Sequence, residues 1–272
     1  MKSHSLLLAL ALTGCDGGSD TPDPDLINCD GSQCLSIEAF GDNIAADLSG
    51  SAVGWSYVIY YQGEAEKWDS GGDWRTEVDP PQVSADIYSP FNMGSIGKTI
   101  TTIGTMLAMD ASSAVDVDDP ISGWLPPDWT IGDGVEGITF ADLMRHESGL
   151  RLESCTYVDM KAAIALGINE SDYGVEQYNN MNFCLLRVLL PYINGYTFTA
   201  GGTTDETESV TTAQAYVDYI QQNVFTPAGL PIVSVVTPEV NPTLAYTFPD
   251  PGIYGVNPGV ITMTYDLSLI HI

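Results

Sequence analysis

Basic side chains are almost absent from this sequence. Its 272 residues hold eight Lys and Arg against 36 Asp and Glu, a formal net charge of −28. Phosphate binding wants Lys and Arg patches, so nucleic acid is excluded as a partner. The acidic excess reads as a solvated surface suited to salty surroundings. Histidine is scarcer still, at three. None has ligand spacing, because His146-Glu147 lacks a second histidine four residues on, so no metal and no other cofactor is expected. There is no internal repeat and no G-x-S-x-G elbow. The remainder, 44% hydrophobic and 10% aromatic, is a globular composition with room for one large domain or two lobes around a sizeable core.

The N-terminus "MKSHSLLLALALTGC" has a basic start at Lys2 and an apolar run from Leu6 to Leu12 that is too short to span a bilayer. It reads as a signal peptide over residues 1–14. Leu12-Thr13-Gly14-Cys15 resembles a bacterial lipobox, which implies cleavage before Cys15 and a lipid on its thiol. The chain is then expected to be exported and lipid-anchored on the periplasmic or cell-surface side of a bacterial membrane. "DGGSDTPDPD" is polar and rich in Gly and Pro, and residues 15–35 read as a tether. Export also changes the reading of Cys29, Cys34, Cys155 and Cys184, an even set in an oxidising compartment. Cys29–Cys34 suits a local clip and Cys155–Cys184 a tie between two loops.

Residues 34–48 carry apolar positions at helical spacing, and 54–72 read as two strands around a Gln62-Gly63-Glu64 turn. From Gly94 the pattern turns helical. Ile96, Ile100, Ile103 and Leu107 form one stripe, and Ser95, Lys98 and Thr102 share another face. A Pro-rich loop follows at 116–129, and "ITFADLMRHESGL" predicts a short helix ending at Gly149. "MNFCLLRVLLPYI" and "TAQAYVDYIQQNVF" predict two more. Trp55, Trp68 and Trp74 read as strand or packing residues.

The lysine in "FNMGSIGKTITT" stands out, because the other lysines are only Lys2, Lys67 and Lys161. A lysine among apolar neighbours is costly unless it has a partner or a task. At i and i+3 on a helix, Ser95 and Lys98 are neighbours. Apolar surroundings disfavour a charged amine, and a neutral amine beside a serine hydroxyl takes its proton. The start of the helix adds free backbone N–H groups and the positive end of the macrodipole for a developing oxyanion. The bland alternative is an N-cap serine with a snorkelling lysine. A phosphate loop through Gly97-Lys98-Thr99 fails, because the first glycine of its pattern falls on Asn92.

"FNMGSIGKTITT" resembles the active-site segment of the serine β-lactamase and penicillin-binding-protein superfamily, in particular its class C β-lactamase and esterase/D-peptidase branch. "AVDVDDPISGWLP", "ITFADLMRHESGL", "YNNMNFCLLRVLL" and "YGVNPGVITMTYDL" resemble further segments of that branch in the right order, over about residues 36–266. The resemblance implies an α+β fold, with a helical lobe (about 94–235) inserted into an antiparallel-sheet lobe (36–93, with a partial return over 236–266). It implies Ser95 as nucleophile, Lys98 as its activating partner and Tyr178 as general acid or base. Asn180 would orient substrate and hold Lys98. Tyr192-Ile193-Asn194 is a second Tyr-x-Asn, but it ends the apolar helix rather than opening it. His146 matches a family histidine and reads as a structural hydrogen-bonding residue, and Ser148 as a turn residue. A monomeric serine hydrolase acting on a β-lactam, a cell-wall D-peptide or a small ester is the expected function. The alternative is a non-catalytic penicillin-recognising scaffold.

The family's third element, Lys-Thr-Gly or His-x-Gly on a C-terminal strand, is not found after Tyr178. The closing "LSLIHI" fits no amphipathic pattern and matches the translation of a transposon end used in sequencing adapters. Residues 267–272 are therefore expected to be read-through. The chain is expected to lack the C-terminal strands of the sheet and, as it stands, to turn over negligibly.

Overall fold

Gln62 and Gly63 both adopt positive φ, 50° and 88°, and form a two-residue turn whose twist matches the flanking strands. The structure, a computed structural model, describes residues 26–30, 33–88, 94–152, 154–198 and 204–230. The expected leader, Cys15 and the final segments from 231 onward lie outside the described residues. The chain divides into two units with a boundary between Asn92 and Met93; the first carries the sheet and the second the helices of the site.

In the first unit the turn joins β3 (Gly54–Tyr61) to β4 (Glu64–Arg75), with Tyr61 opposite Glu64 and Gly54 opposite Gly72. Glu64, expected in the turn, is the first residue of β4. A short β5 (Val83–Ser84) completes the antiparallel order β3-β4-β5. Trp55 is buried and stacks on Tyr57, Trp74 donates its indole N–H to the Asp86 carbonyl at 3.2 Å, and Trp68 is exposed. Ahead of them lies a hairpin of β1 (Leu26–Asp30) and β2 (Gln33–Ser36). It occupies the second half of the stretch expected to be tether, where backbone pairing overrides a polar composition. Its register sets Cys29 opposite Cys34, and Cys34 is disulfide-bonded.

Helix α1 (Ile37–Ser49) starts at Ser36, whose hydroxyl accepts from Ala39 N–H. Lys67 of β4 pins it, with Nζ 2.8 Å from Glu38 Oε1 and 2.7 Å from Asp42 Oδ1. Gly41 permits the approach: a Cβ there would fall 2.5 Å from the Lys67 stem.

The second unit is built around α5 (Asn180–Ile193), which is buried along nearly its whole length. Met181, Leu185, Leu186, Val188, Leu189 and Leu190 are fully enclosed, as expected of a predominantly apolar helix, and Asn182 and Arg187 are buried with them. Around it pack α2 (Gly97–Ser112), α3 (Phe140–Arg145) and α6 (Asp205–Ile220), with α4 (Tyr157–Leu166) against α6. Three departures from the sequence reading have local causes. Helix α3 stops at Arg145 because His146 takes the left-handed conformation, φ 60°. Helix α6 begins at Asp205, seven residues before the predicted string, because Thr204 caps it and Asp205, Glu206 and Glu208 suit the positive end of its dipole. Helix α4, which the sequence reading passed over, is started by Thr156 accepting from Asp159 N–H.

The fourth departure concerns α2. The stripe of Ile96, Ile103 and Leu107 is exposed, Ile96 at 54%. The buried face is Gly97, Thr101, Gly104, Thr105, Ala108 and Met109. Small residues let α2 approach α5 and α6 closely: a Cβ on Gly104 would meet Ile220 and Leu190 side chains. The threonine hydroxyls bond back to the carbonyls of Gly97 and Thr101, at 3.1 and 2.8 Å, so what they present sideways is largely methyl.

Replacing Leu186 by Ala in the middle of α5 is expected to cost about 2–5 kcal/mol in chemical denaturation. A loss below about 1 kcal/mol would contradict the packing described.

Candidate active site

Ser95 lies in a single 3-10 turn, Gly94–Ile96, that runs directly into α2. Lys98 is the second residue of that helix, and no side chain caps the helix start. From behind, Tyr216 of α6 holds this first turn. The Thr101 hydroxyl donates to the Gly97 carbonyl, so the Tyr216 hydroxyl donates to Thr101 at 2.8 Å. Burial pushes the Tyr216 phenol up to about 12, against the lowering effect of Thr101 and Arg187, so it remains a neutral donor at ordinary pH.

The other half of the cluster comes from the start of α5. Asn179 caps that helix, its side chain accepting from Met181 N–H at 2.8 Å. This fixes Tyr178 just outside the helix and Asn180 as its first residue. Across 83 residues of sequence, Tyr178 Oη comes 2.6 Å from Ser95 Oγ. Lys98 Nζ donates to Asn180 Oδ1 at 2.8 Å and reaches Ser95 Oγ at 3.4 Å. It also lies 4.8 Å from the Tyr178 ring centroid and 5.7 Å from that of Phe183, which places a cation over two aromatic faces. The four residues Ser95, Lys98, Tyr178 and Asn180 thus meet within this unit. The short contact of the serine is with the phenol and not with the amine. Lys98 thus meets Ser95, Asn180 and two aromatic rings. Ser95 and Tyr178 are exposed, Tyr178 at 55%, so the cluster opens to solvent.

His146 sits behind Tyr178, ring centroids 4.6 Å apart, and 5.2 Å from Phe183. Its Nδ1 accepts from Asn179 N–H at 3.2 Å and lies 3.1 Å from Asn182 Nδ2. Ser148, read from sequence as a turn residue, donates its hydroxyl to Asn182 Oδ1. Burial lowers the affinity of the His146 ring for a second proton, and the Lys98 charge acts in the same direction. Asn179, Asn182 and Phe183 went unremarked in the sequence. Two asparagines at the head of an otherwise apolar helix were the available signal.

Tyr192 and Asn194, the other Tyr-x-Asn, stand at the far end of α5, where Asn194 is the C-cap. A helix rises about 1.5 Å per residue, so this pair is about 20 Å from Asn180. Cys155 and Cys184 form a disulfide with Cα atoms 5.5 Å apart. Its loop encloses both Tyr178 and Asn180. Among the described residues no group of three or more His, Cys, Asp or Glu could hold a metal ion, and no helix is long and apolar enough to cross a membrane.

The sequence model of the family described as Beta-lactamase matches residues 42–268. Among solved structures, the chain is similar to a class C β-lactamase from Rhodobacter sphaeroides, with 17% identity and a TM-score of 0.56 over 82% of this chain and 58% of that one. It is similar also to an octameric penicillin-binding protein homologue from Pyrococcus abyssi (16%, TM-score 0.56, 80% and 49%). A third is a D-amino acid amidase from Ochrobactrum anthropi SV3 complexed with D-phenylalanine (19%, 0.51, 74% and 51%). At such identity these likenesses speak to the fold alone, and the α+β architecture is that of the β-lactamase-like fold. The chain spans about half the length of the solved structures it matches. Among curated proteins no match is found.

Replacing Cys155 and Cys184 together by Ser is expected to lower stability by about 3–4 kcal/mol, the loop-closure value for a separation of 29 residues. Superimposable denaturation curves for the variant and the oxidised parent would contradict it.

Proposed function

Because this chain belongs to the Beta-lactamase family, we propose that it is a serine hydrolase that cleaves an amide or ester through an acyl-Ser95 intermediate. One observation carries this reading: Ser95 Oγ, Tyr178 Oη, Lys98 Nζ and Asn180 Oδ1 form a continuous set of contacts between 2.6 and 3.4 Å. Nucleophile, proton acceptor and cation are already assembled at a helix start.

Tyr178, the nearest group to Ser95 Oγ, takes the serine proton. An ammonium beside a phenol favours the phenolate needed for this. Ser95 Oγ then bonds to the substrate carbonyl carbon. The uncapped N–H groups at the start of α2 favour the negative charge that develops on the carbonyl oxygen. The bond to the leaving group breaks, and Tyr178 returns the proton to it. Water then attacks the carbonyl carbon of the ester so formed and gives its proton to Tyr178, which passes it to Ser95 Oγ as the bond between that oxygen and the acyl carbon breaks. Lys98 is held by the Asn180 carbonyl oxygen, which leaves the Asn180 amide N–H groups to donate to a substrate carbonyl. Lys98 therefore acts more through charge on Tyr178 than by direct proton abstraction.

The substrate class is a β-lactam, a cell-wall D-peptide or a small ester, handled by a monomer that needs no cofactor. The leader and Cys15 support export and a lipid anchor at a bacterial membrane, and the charge of −28 keeps nucleic acid away.

In the full-length gene product, Ser95→Ala is expected to abolish covalent labelling by a fluorescent penicillin and by a fluorophosphonate, read by mass spectrometry. Tyr178→Phe is expected to slow acylation by about 10²–10⁴-fold, the range for a lost general acid–base group. Labelling of the Ser95→Ala protein at the parent rate would end this reading.

A further inference from the structure

The peptide N–H between Tyr178 and Asn180 donates to an imidazole. Asn179 N lies 3.2 Å from His146 Nδ1, and a backbone N–H has no lone pair to offer in return. Nδ1 must therefore carry the lone pair, and the ring proton sits on Nε2. The side-chain network agrees. Leu150 N–H donates to Ser148 Oγ, whose own proton goes to Asn182 Oδ1. This turns the Asn182 amide nitrogen toward Nδ1, 3.1 Å away, as a second donor on the same acceptor. Ser148, Asn179 and Asn182 are all buried, so water does not replace these bonds cheaply.

The backbone of His146 serves the same segment. Its carbonyl accepts from Gln177 N–H at 2.9 Å, and its ring packs on the Tyr178 ring. The residue spans α3 and the start of α5 with main chain and side chain together. It does so from a left-handed conformation, φ 60°, that a β-carbon disfavours.

We propose that His146 is a positioning residue for the Tyr178–Asn180 segment. As the neutral Nε2–H form it holds Asn179 N–H and the Tyr178 ring in place beside Ser95 and Lys98, and protonation at Nδ1 breaks that hold.

A proton on Nδ1 would face two N–H donors. It would also add a second positive charge near Lys98 of α2, which already lies over the Tyr178 and Phe183 rings. Glu176, in the loop ahead of α5, is the acidic group that opposes this effect. Burial and Lys98 favour the neutral ring, so the ring binds its second proton less readily when folded than its ordinary value of 6.5. The sign follows: the stabilisation is fully present above about 6.5 and is lost as pH falls through the lower folded value.

The effect on acylation rests on the serine-hydrolase reading, whereas the tautomer does not. In the same full-length gene product, the ring ¹⁵N signals of His146 can be assigned by difference with a His146→Asn variant. His146 is expected as the Nε2–H tautomer with a midpoint below 6.5, and the ¹³C ring signal of Tyr178, assigned with Tyr178→Phe, is expected to move with the same midpoint. Asn tolerates the left-handed backbone and offers a carbonyl oxygen in place of Nδ1. His146→Asn should then leave the Tyr178 signal without a pH-dependent movement and the acylation rate within a few-fold, while losing the acid limb of the pH profile. His146→Phe keeps a ring without an acceptor, and should shift the Tyr178 signal and slow acylation roughly tenfold or more. An Nδ1–H tautomer, a midpoint at or above 6.5, or a Phe variant with the parent Tyr178 signal would overturn the proposal. If Ser95→Ala still labels, the hydrolase reading fails, and the tautomer and the Tyr178 signal still decide the role of His146.

Discussion

The N-terminus of α5 is the point on which the rest of the second unit depends. The helix is apolar on nearly every side apart from the buried Arg187 at its middle, so it has to sit at the centre, and its other buried polar groups lie in its first turn. That turn cannot simply face water, because Asn179 and Asn182 are buried. Each buried polar atom left without a partner would cost about 1–3 kcal/mol. Asn179 spends its side-chain oxygen on capping the helix and its N–H on His146, its Nδ2 alone being left without a partner, while Asn182 bridges His146 and Ser148. Satisfying these groups leaves Tyr178 and Asn180 little freedom.

Helix α2 meets that constraint from the other side. Its buried face is made of Gly, Ala and Thr up to Met109 near its end, with the threonine hydroxyls turned back onto their own helix. Bulky side chains there would hold α2 away from α5 and open the 2.8 Å contact between Lys98 and Asn180. The Tyr216–Thr101 bond adds a directional contact where packing of small groups is weak in specificity. The site is therefore placed by two helices that approach closely for different reasons, one apolar and the other small.

Electrostatics and chemistry converge at Lys98. Among the described residues its fellow lysines are both engaged in ion pairs, Lys67 with Glu38 and Asp42, and Lys161 with Asp128 and Asp205. Lys98 instead meets an amide oxygen, a hydroxyl and two aromatic faces. Neutral partners hold its charge in place without cancelling it, which leaves that charge available to the Tyr178 phenol.

The sequence by itself determined which polar residues belong together. Ser95 and Lys98 are one helical turn apart, so their proximity is local, whereas Tyr178 and Asn180 were joined to them through the resemblance of "YNNMNFCLLRVLL", the apolar helix after it setting it apart from Tyr192-Ile193-Asn194. The caps Ser36, Thr139, Thr156 and Thr204 are just as local, acting on the next few residues only, although the sequence reading named none of them. Only the tertiary structure decided which face of α2 is buried. Hydrophobic periodicity reports how apolar a face is and not how closely a neighbour must approach, so Ile96, Ile103 and Leu107 were a misleading stripe. It also decided that the phenol and not the amine is nearest to Ser95, a contact between residues 83 apart. For His146 the resemblance implied a structural hydrogen bond but not its partner, a backbone N–H that no pattern of side chains records.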